Sequence, residues 1–149
     1  MSYDINFWFP RAGIVFEDWA ESFNGIYSIE EQRLLAAALD EVRVQTRMAL
    51  PASEHSECDD GFALDDEVTA ISFGYSPSGV SLSCPYRRGG GEFRITAMYA
   101  IAQAVSSRVG LQAYDPQIEG IAEPRNCPAA IHAYEEAARF AESLFSQSD

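Results

Sequence analysis

Residues 68–86 read VTAISFGYSPSGVSLSCPY, and they are the clearest indication of the fold class. Apolar and polar side chains alternate over residues 68–75 and again over 80–86, which is typical of half-buried strands. The four residues SPSG at 76–79 are a turn signal between them. The stretch therefore predicts an antiparallel hairpin, with Pro85 near the end of the strand pairing.

A long helix is predicted next, over residues 92–108, after a glycine-rich loop at 87–91. Arg108 suits the negative end of the helix dipole, and Gly110 is a natural residue at which to end the helix. Apolar residues at helical spacing predict one buried stripe. Its members are Phe93, Ala97, Ala100, Ile101, Ala104 and Val105.

The N-terminal third predicts a strand and a helix. Residues 4–9 favour a strand, with Ile5, Phe7 and Phe9 on one face and Asn6 and Trp8 on the other. Residues 15–23 fit a short helix or an irregular loop, and Ser28 and Glu31 form a capping box that begins a clear helix. This helix buries a face that includes Leu35, Leu39 and Val42, and it ends before Pro51.

The C-terminal part predicts a strand over residues 111–114 and a last helix that starts near Pro128. The order βαββαβ indicates an α+β protein with a ferredoxin-like antiparallel sheet and an added C-terminal helix. A length of 149 residues without a linker composition predicts a single domain over 1–149.

The charge of the chain restricts its partners. Asp and Glu total 23 against 10 basic residues, all of them arginine, which gives a formal charge of −13. Such a chain is repelled by phosphate backbones and anionic membrane surfaces, so we expect no nucleic acid and no membrane as partners. A basic protein is the partner that the charge favours. The alternative is that the charge only keeps the protein soluble.

Seven carboxylates are concentrated in the polar segment 52–67, which is predicted to be a long connection. They lack the spacing of a calcium-binding EF-hand loop. We therefore predict a surface for a basic partner, with a solvated acidic loop as the alternative. The residues are Glu54, Glu57, Asp59, Asp60, Asp65, Asp66 and Glu67.

A locally basic loop, with Arg87 and Arg88 before Gly89–Gly91, is a candidate anion site at a helix N-terminus. It matches neither known glycine-rich nucleotide fingerprint, and Glu92 places a negative charge where an anion would bind. The alternative is a flexible connector from strand to helix.

Other chemistry has little support in the sequence. The pairs His55/Cys58 and Cys127/His132 match no structural zinc spacing, and no nucleophile motif is present, so we expect no catalytic residue, metal or cofactor. The N-terminal aromatic residues favour a core role, with an exposed tryptophan as an interface anchor being the alternative. An N-terminus unlike a signal peptide and three scattered cysteines predict a cytoplasmic protein.

Two segments carry a resemblance to a known group. The start Met1-Ser2-Tyr3-Asp4-Ile5, followed by aromatic residues, and the later segment GLQAYDPQ at 110–117 resemble small bacterial proteins of unassigned function. Some of these are similar to immunity proteins encoded beside secreted toxins. The resemblance implies a cytoplasmic immunity protein that occludes a cognate toxin, and it supplies no catalytic residue.

Two other hypotheses remain beside this one. A small phosphate-ester or nucleotide-handling enzyme would use the loop that contains Arg87 and Arg88. A structural or regulatory homodimer would pair two copies through an open sheet edge.

Overall fold

A computed structural model describes residues 1–146 of the chain. Within them, seven strands form one antiparallel sheet in the order β2-β3-β4-β5-β1-β6-β7. The strands are β1 (Ser2–Trp8), β2 (Glu54–Cys58), β3 (Gly61–Asp65), β4 (Ser72–Ser76), β5 (Gly79–Pro85), β6 (Gln112–Asp115) and β7 (Gly120–Ile121). The α-helices are α1 (Phe16–Ser22), α2 (Ile29–Ala37), α3 (Leu39–Ala49), α4 (Gly91–Val109) and α5 (Cys127–Ser146).

The core lies between one face of the sheet and a layer of helices in which α4 packs between α3 and α5. Strand residues of this face alternate with polar residues, as half-buried strands require. The buried ones include Tyr3, Ile5, Phe7, Phe62, Leu64, Phe73, Tyr75, Leu82 and Cys84. The opposite face, called the open face below, carries small or polar side chains such as Asn6, Ala63, Gly74, Ser81 and Ser83.

The prediction of an α+β protein with an antiparallel sheet is confirmed, but the whole chain does not match the four-stranded ferredoxin-like βαββαβ topology, because its sheet has seven strands. The four predicted strands correspond to β1, β4, β5 and β6, which are neighbours in the middle of the sheet. The acidic segment adds β2 and β3 at one edge, and β7 extends the other. The sequence of β2 contains no large apolar residue because an edge strand needs little apolar surface, and β3 shows its alternation only through Phe62 and Leu64.

The capping box is present as predicted: Glu31 N–H donates to Ser28 Oγ at 3.1 Å, and Ser28 N–H donates to Glu31 Oε1 at 2.9 Å. The single helix predicted after it is in fact two, because the backbone breaks the α-helix at Ala38 between α2 and α3. Leu35 and Val42 are buried as predicted, and Leu39 is half-buried.

The prediction that Phe93 is buried is wrong, since 64% of its surface is exposed. Ile101 and Val105 are buried as predicted, but Ala100 is exposed, and the other buried residues on this side of α4 are Ile95, Met98 and Ala102. Local spacing allowed both assignments, because α4 has apolar residues on more than one face and only the neighbouring helices decide between them.

Two strand predictions also need correction. The strand predicted over residues 68–75 begins only at Ser72, because Asp66 to Ala70 form a turn in which Ala70 has φ 62°. Trp8, predicted on the face opposite Ile5 and Phe7, is nevertheless buried. The reason is that α1 covers this end of the open face and packs Phe16 and Trp19 against it.

Candidate functional site

The acidic segment forms a hairpin at the edge of the sheet, called the acidic hairpin below (residues 54–67). Its carboxylates fall into two groups. Glu57, Asp59 and Asp60 lie at or beside the β2–β3 turn, whereas Glu54 lies opposite Asp65 at the other end of the paired strands. The sequence predicted one cluster in a connection, but pairing of β2 with β3 distributes the charges along an edge.

Glu54 and Asp65 are direct cross-strand partners, and both side chains are exposed. Like charges directly opposite one another destabilise an antiparallel pair. Asp65 accepts a hydrogen bond from Ser72 Oγ at 2.7 Å, which does not neutralise its charge. Among the described residues, no arginine forms an ion pair with Glu54, Asp59, Asp60, Asp65 or Glu67.

Glu57 and Asp66 have partners within the chain. Glu57 pairs with His55 and, at 3.0 Å, with Arg43, and the hydrogen bond from His55 is the main reason why the pKa of Glu57 is lowered. Asp66 is buried, and its Oδ2 accepts hydrogen bonds from the backbone N–H and the hydroxyl of Thr69. Asp66 therefore holds the turn before β4 and is not part of an accessible surface.

The basic loop at 87–91 lines a cavity of about 250 Å³ between the start of α4 and α5. Arg87, Arg88 and Arg139 reach it, but Glu135 lines it too, and Arg88 pairs with Glu142 at 3.1 Å. Gly89 and Gly90 have φ values of 77° and 70°, a left-handed conformation that favours glycine. Chain geometry thus accounts for the glycines without an anion.

A third region lies at α1, where the sequence favoured a core role for the aromatic residues and left an interface anchor as the alternative. Phe16, Trp19 and Phe23 form a row, and a groove of about 450 Å³ runs between this row and the β4–β5 turn. Trp19 and Phe23 are half-buried and stack with ring centroids 4.5 Å apart. In the sequence, this region is indicated by the helical spacing of its aromatic residues. That spacing does not distinguish a helix face buried in the core from one that lines a groove.

The two segments that carry the resemblance meet in the core. Asp115 is completely buried, and its Oδ2 accepts hydrogen bonds from Tyr3 and Tyr99, each at 2.6 Å. The backbone N–H of Gln117 donates to Asp115 Oδ1 at 3.1 Å. Burial raises the pKa of Asp115, and these hydrogen bonds offset the effect only in part. This arrangement gives both segments a structural role.

The cysteines are free, and Cys84 is buried in the core, where desolvation raises its pKa to about 11. A thiol with a raised pKa is a poor nucleophile at neutral pH. In residues 1–146 no group of three His, Cys, Asp or Glu side chains is arranged to hold a metal ion. None of the helices in that range is long and apolar enough to cross a membrane.

Comparisons of the chain with protein-family models, with curated proteins and with solved structures found no match.

Proposed function

We propose that this chain is a non-catalytic binding protein that docks on a basic protein through the acidic hairpin. The partner in this proposal is a secreted bacterial toxin, and the docked chain acts as its immunity protein by covering a basic active-site cleft. The toxin part of the proposal comes from the resemblance of the two segments at Met1–Ile5 and 110–117. The mode of binding comes from the charge distribution.

The observation that carries the proposal is the set of five exposed carboxylates without an arginine partner among the described residues. They are Glu54, Asp59, Asp60, Asp65 and Glu67. Their mutual repulsion, strongest for the opposed Glu54 and Asp65, is relieved when lysines or arginines of another protein approach. A negative surface on a chain of charge −13 also accelerates encounter with a basic protein.

The same charges argue against the main competing partners. An acidic edge repels nucleic acids and anionic lipid surfaces. In this proposal the chain works in the cytoplasm, where its free cysteines stay reduced.

The genetic test is co-expression with the product of the adjacent reading frame. We expect that product to arrest growth when it is expressed alone and to be neutralised when this chain is present. A neighbour that is harmless, or toxic but unaffected by this chain, contradicts the immunity role.

The kinetic test uses the purified product of the adjacent reading frame. Its rate of association with this chain is measured by stopped-flow mixing at increasing salt concentrations. The on-rate is expected to fall steeply with salt, because screening weakens steering between exposed charges. The triple variant Glu54→Gln, Asp59→Asn, Asp60→Asn is expected to associate about tenfold more slowly, a modest share of the range that steering covers. Asp66 is left intact because it holds a turn.

The matched control is Glu30→Gln, Glu92→Gln, Glu136→Gln, which removes three exposed charges outside the acidic hairpin. Its on-rate is expected to stay near that of the native chain. Equal slowing in both triple variants would mean that only net charge matters and that the acidic hairpin is not the interface.

A phosphate-ester or nucleotide-handling enzyme is a second candidate, because three arginines surround the 250 Å³ cavity at the start of α4. It ranks below the binding protein, since Glu135 lines the same cavity and Arg88 already pairs with Glu142.

A further inference from the structure

A groove lined by aromatic residues lies beside α1 and is called the aromatic groove below. Its volume is about 450 Å³, within the range of about 300–1,000 Å³ that is usual for binding pockets. Trp19, Ala20 and Phe23 form one wall, and Tyr27 and Val80 are also part of the lining.

Ring stacking holds the wall of the groove in place. Phe16 stacks on Tyr114 with centroids 4.1 Å apart, Trp19 on Phe23 at 4.5 Å, and Phe23 contacts Tyr27 at 5.2 Å. Side chains fixed in this way lose little conformational entropy when a partner binds. The groove is therefore preorganised for an apolar side chain.

The groove continues toward the acidic hairpin. A second depression of about 440 Å³ shares Ser78, Gly79 and Val80 with it and extends along the open face to the end of β2 at Ser56–Cys58. Asp59 and Asp60 follow directly in the β2–β3 turn. One surface thus joins an aromatic groove to exposed carboxylates.

Helix α1, which supplies one wall of the groove, is acidic on the faces that do not line it. Glu17, Asp18 and Glu21 are exposed on α1, which contains no basic residue. Glu17 accepts a hydrogen bond from Tyr114 at 2.6 Å, and no described arginine forms an ion pair with any of these three carboxylates. Charge complementarity therefore selects an occupant that is apolar on one side and basic on the other.

We propose that this groove binds an amphipathic, lysine- or arginine-rich segment of a partner protein. Apolar side chains of that segment insert between α1 and the β4–β5 turn. Its basic side chains contact the carboxylates of α1 at one end and Asp59 and Asp60 at the other. The inference rests on the proposed function and extends it. Electrostatic steering accelerates association but supplies little binding energy, and the groove is the place where apolar contacts would supply it.

The test uses three synthetic peptides of equal length without tryptophan, so that Trp8 and Trp19 report binding by fluorescence. The first is a helix with leucines on one face and lysines elsewhere; the second has glutamate for lysine, and the third has serine for leucine. Only the leucine–lysine peptide is expected to bind saturably. Equal binding of either other peptide, or no binding at all, overturns the proposal.

Two variants place the binding in the groove. Ala20→Arg fills it from an exposed helical position with a residue that favours helix, and it is expected to weaken binding of the leucine–lysine peptide about tenfold. Phe23→Ala removes part of the same wall and is also expected to weaken binding of the peptide, but it loosens α1 as well. The matched control Ala100→Arg, on the exposed side of α4, is expected to bind as the native chain does. Native affinity in Ala20→Arg overturns the proposal.

The two proposals fail in different ways. If Ala20→Arg leaves association with the neighbouring-gene product unchanged while the acidic-hairpin variant slows it, the groove assignment is wrong and the binding function stands. If the groove variants behave as expected toward the peptide but no toxin is neutralised, the immunity role is wrong and the groove assignment stands.

Discussion

Asp115 illustrates how much one buried carboxylate organises. It joins the first strand, through Tyr3, to α4, through Tyr99, and no cation faces it among its hydrogen-bond partners. Asp115→Ala leaves two tyrosine hydroxyls without this acceptor, which is expected to cost about 1–3 kcal/mol for each hydroxyl. Urea unfolding measures this cost.

The raised pKa of Asp115 also predicts a pH dependence. In the folded chain Asp115 holds its proton to a higher pH than in the unfolded chain. Stability therefore falls as pH rises from the unfolded pKa, about 3.9, through the folded pKa. Asp115→Asn cannot ionise, so its stability relative to the native chain is expected to increase over this range. Urea melts at several pH values test this, and parallel profiles would contradict it.

At the level of single elements, anion binding by the loop at 87–91 and the start of α4 distinguishes an enzyme from a binding protein. We expect neither inorganic phosphate nor a nucleotide to shift the melting curve, because Glu142 already pairs with Arg88, the carboxylate of Glu135 lines the same cavity, and the whole chain repels anions. A bound anion at 100 times its dissociation constant would add about 2.7 kcal/mol.

Thermal unfolding with each ligand measures that shift, and the double variant Arg87→Ala, Arg88→Ala is the control. A saturable increase in melting temperature that disappears in the double variant would favour the enzyme hypothesis over the binding protein.

At the scale of the whole molecule, the two sheet edges bear on the homodimer hypothesis. The edge strand β7 has only two residues, and the other edge belongs to a hairpin in which residues 54–65 contain five carboxylates and no arginine. Pairing two copies through β2 brings these carboxylates within about 10 Å of each other, where salt screens them little.

We therefore expect sedimentation to give the mass of one chain, 16.4 kDa, at low salt. A dimer that persists at low salt would contradict this expectation and would favour the structural or regulatory homodimer. High salt is the informative second condition, since it removes the repulsion that is proposed to keep copies apart.

Signals between near neighbours in the chain were enough to predict the local elements and the charge. Alternation over β5 and the capping box of α2 are signals between near neighbours, and both held in the structure. Features that depend on contacts between distant residues became visible only in the folded chain. Tyr3 reaches Asp115 across 112 positions, Phe93 is exposed because the other side of α4 packs on the core, and the acidic segment becomes two strands by pairing with β4. The periodicity of apolar residues shows which residues share one face of a helix or strand. Which of these faces is buried, and against what, depends on packing between elements that are far apart in the chain.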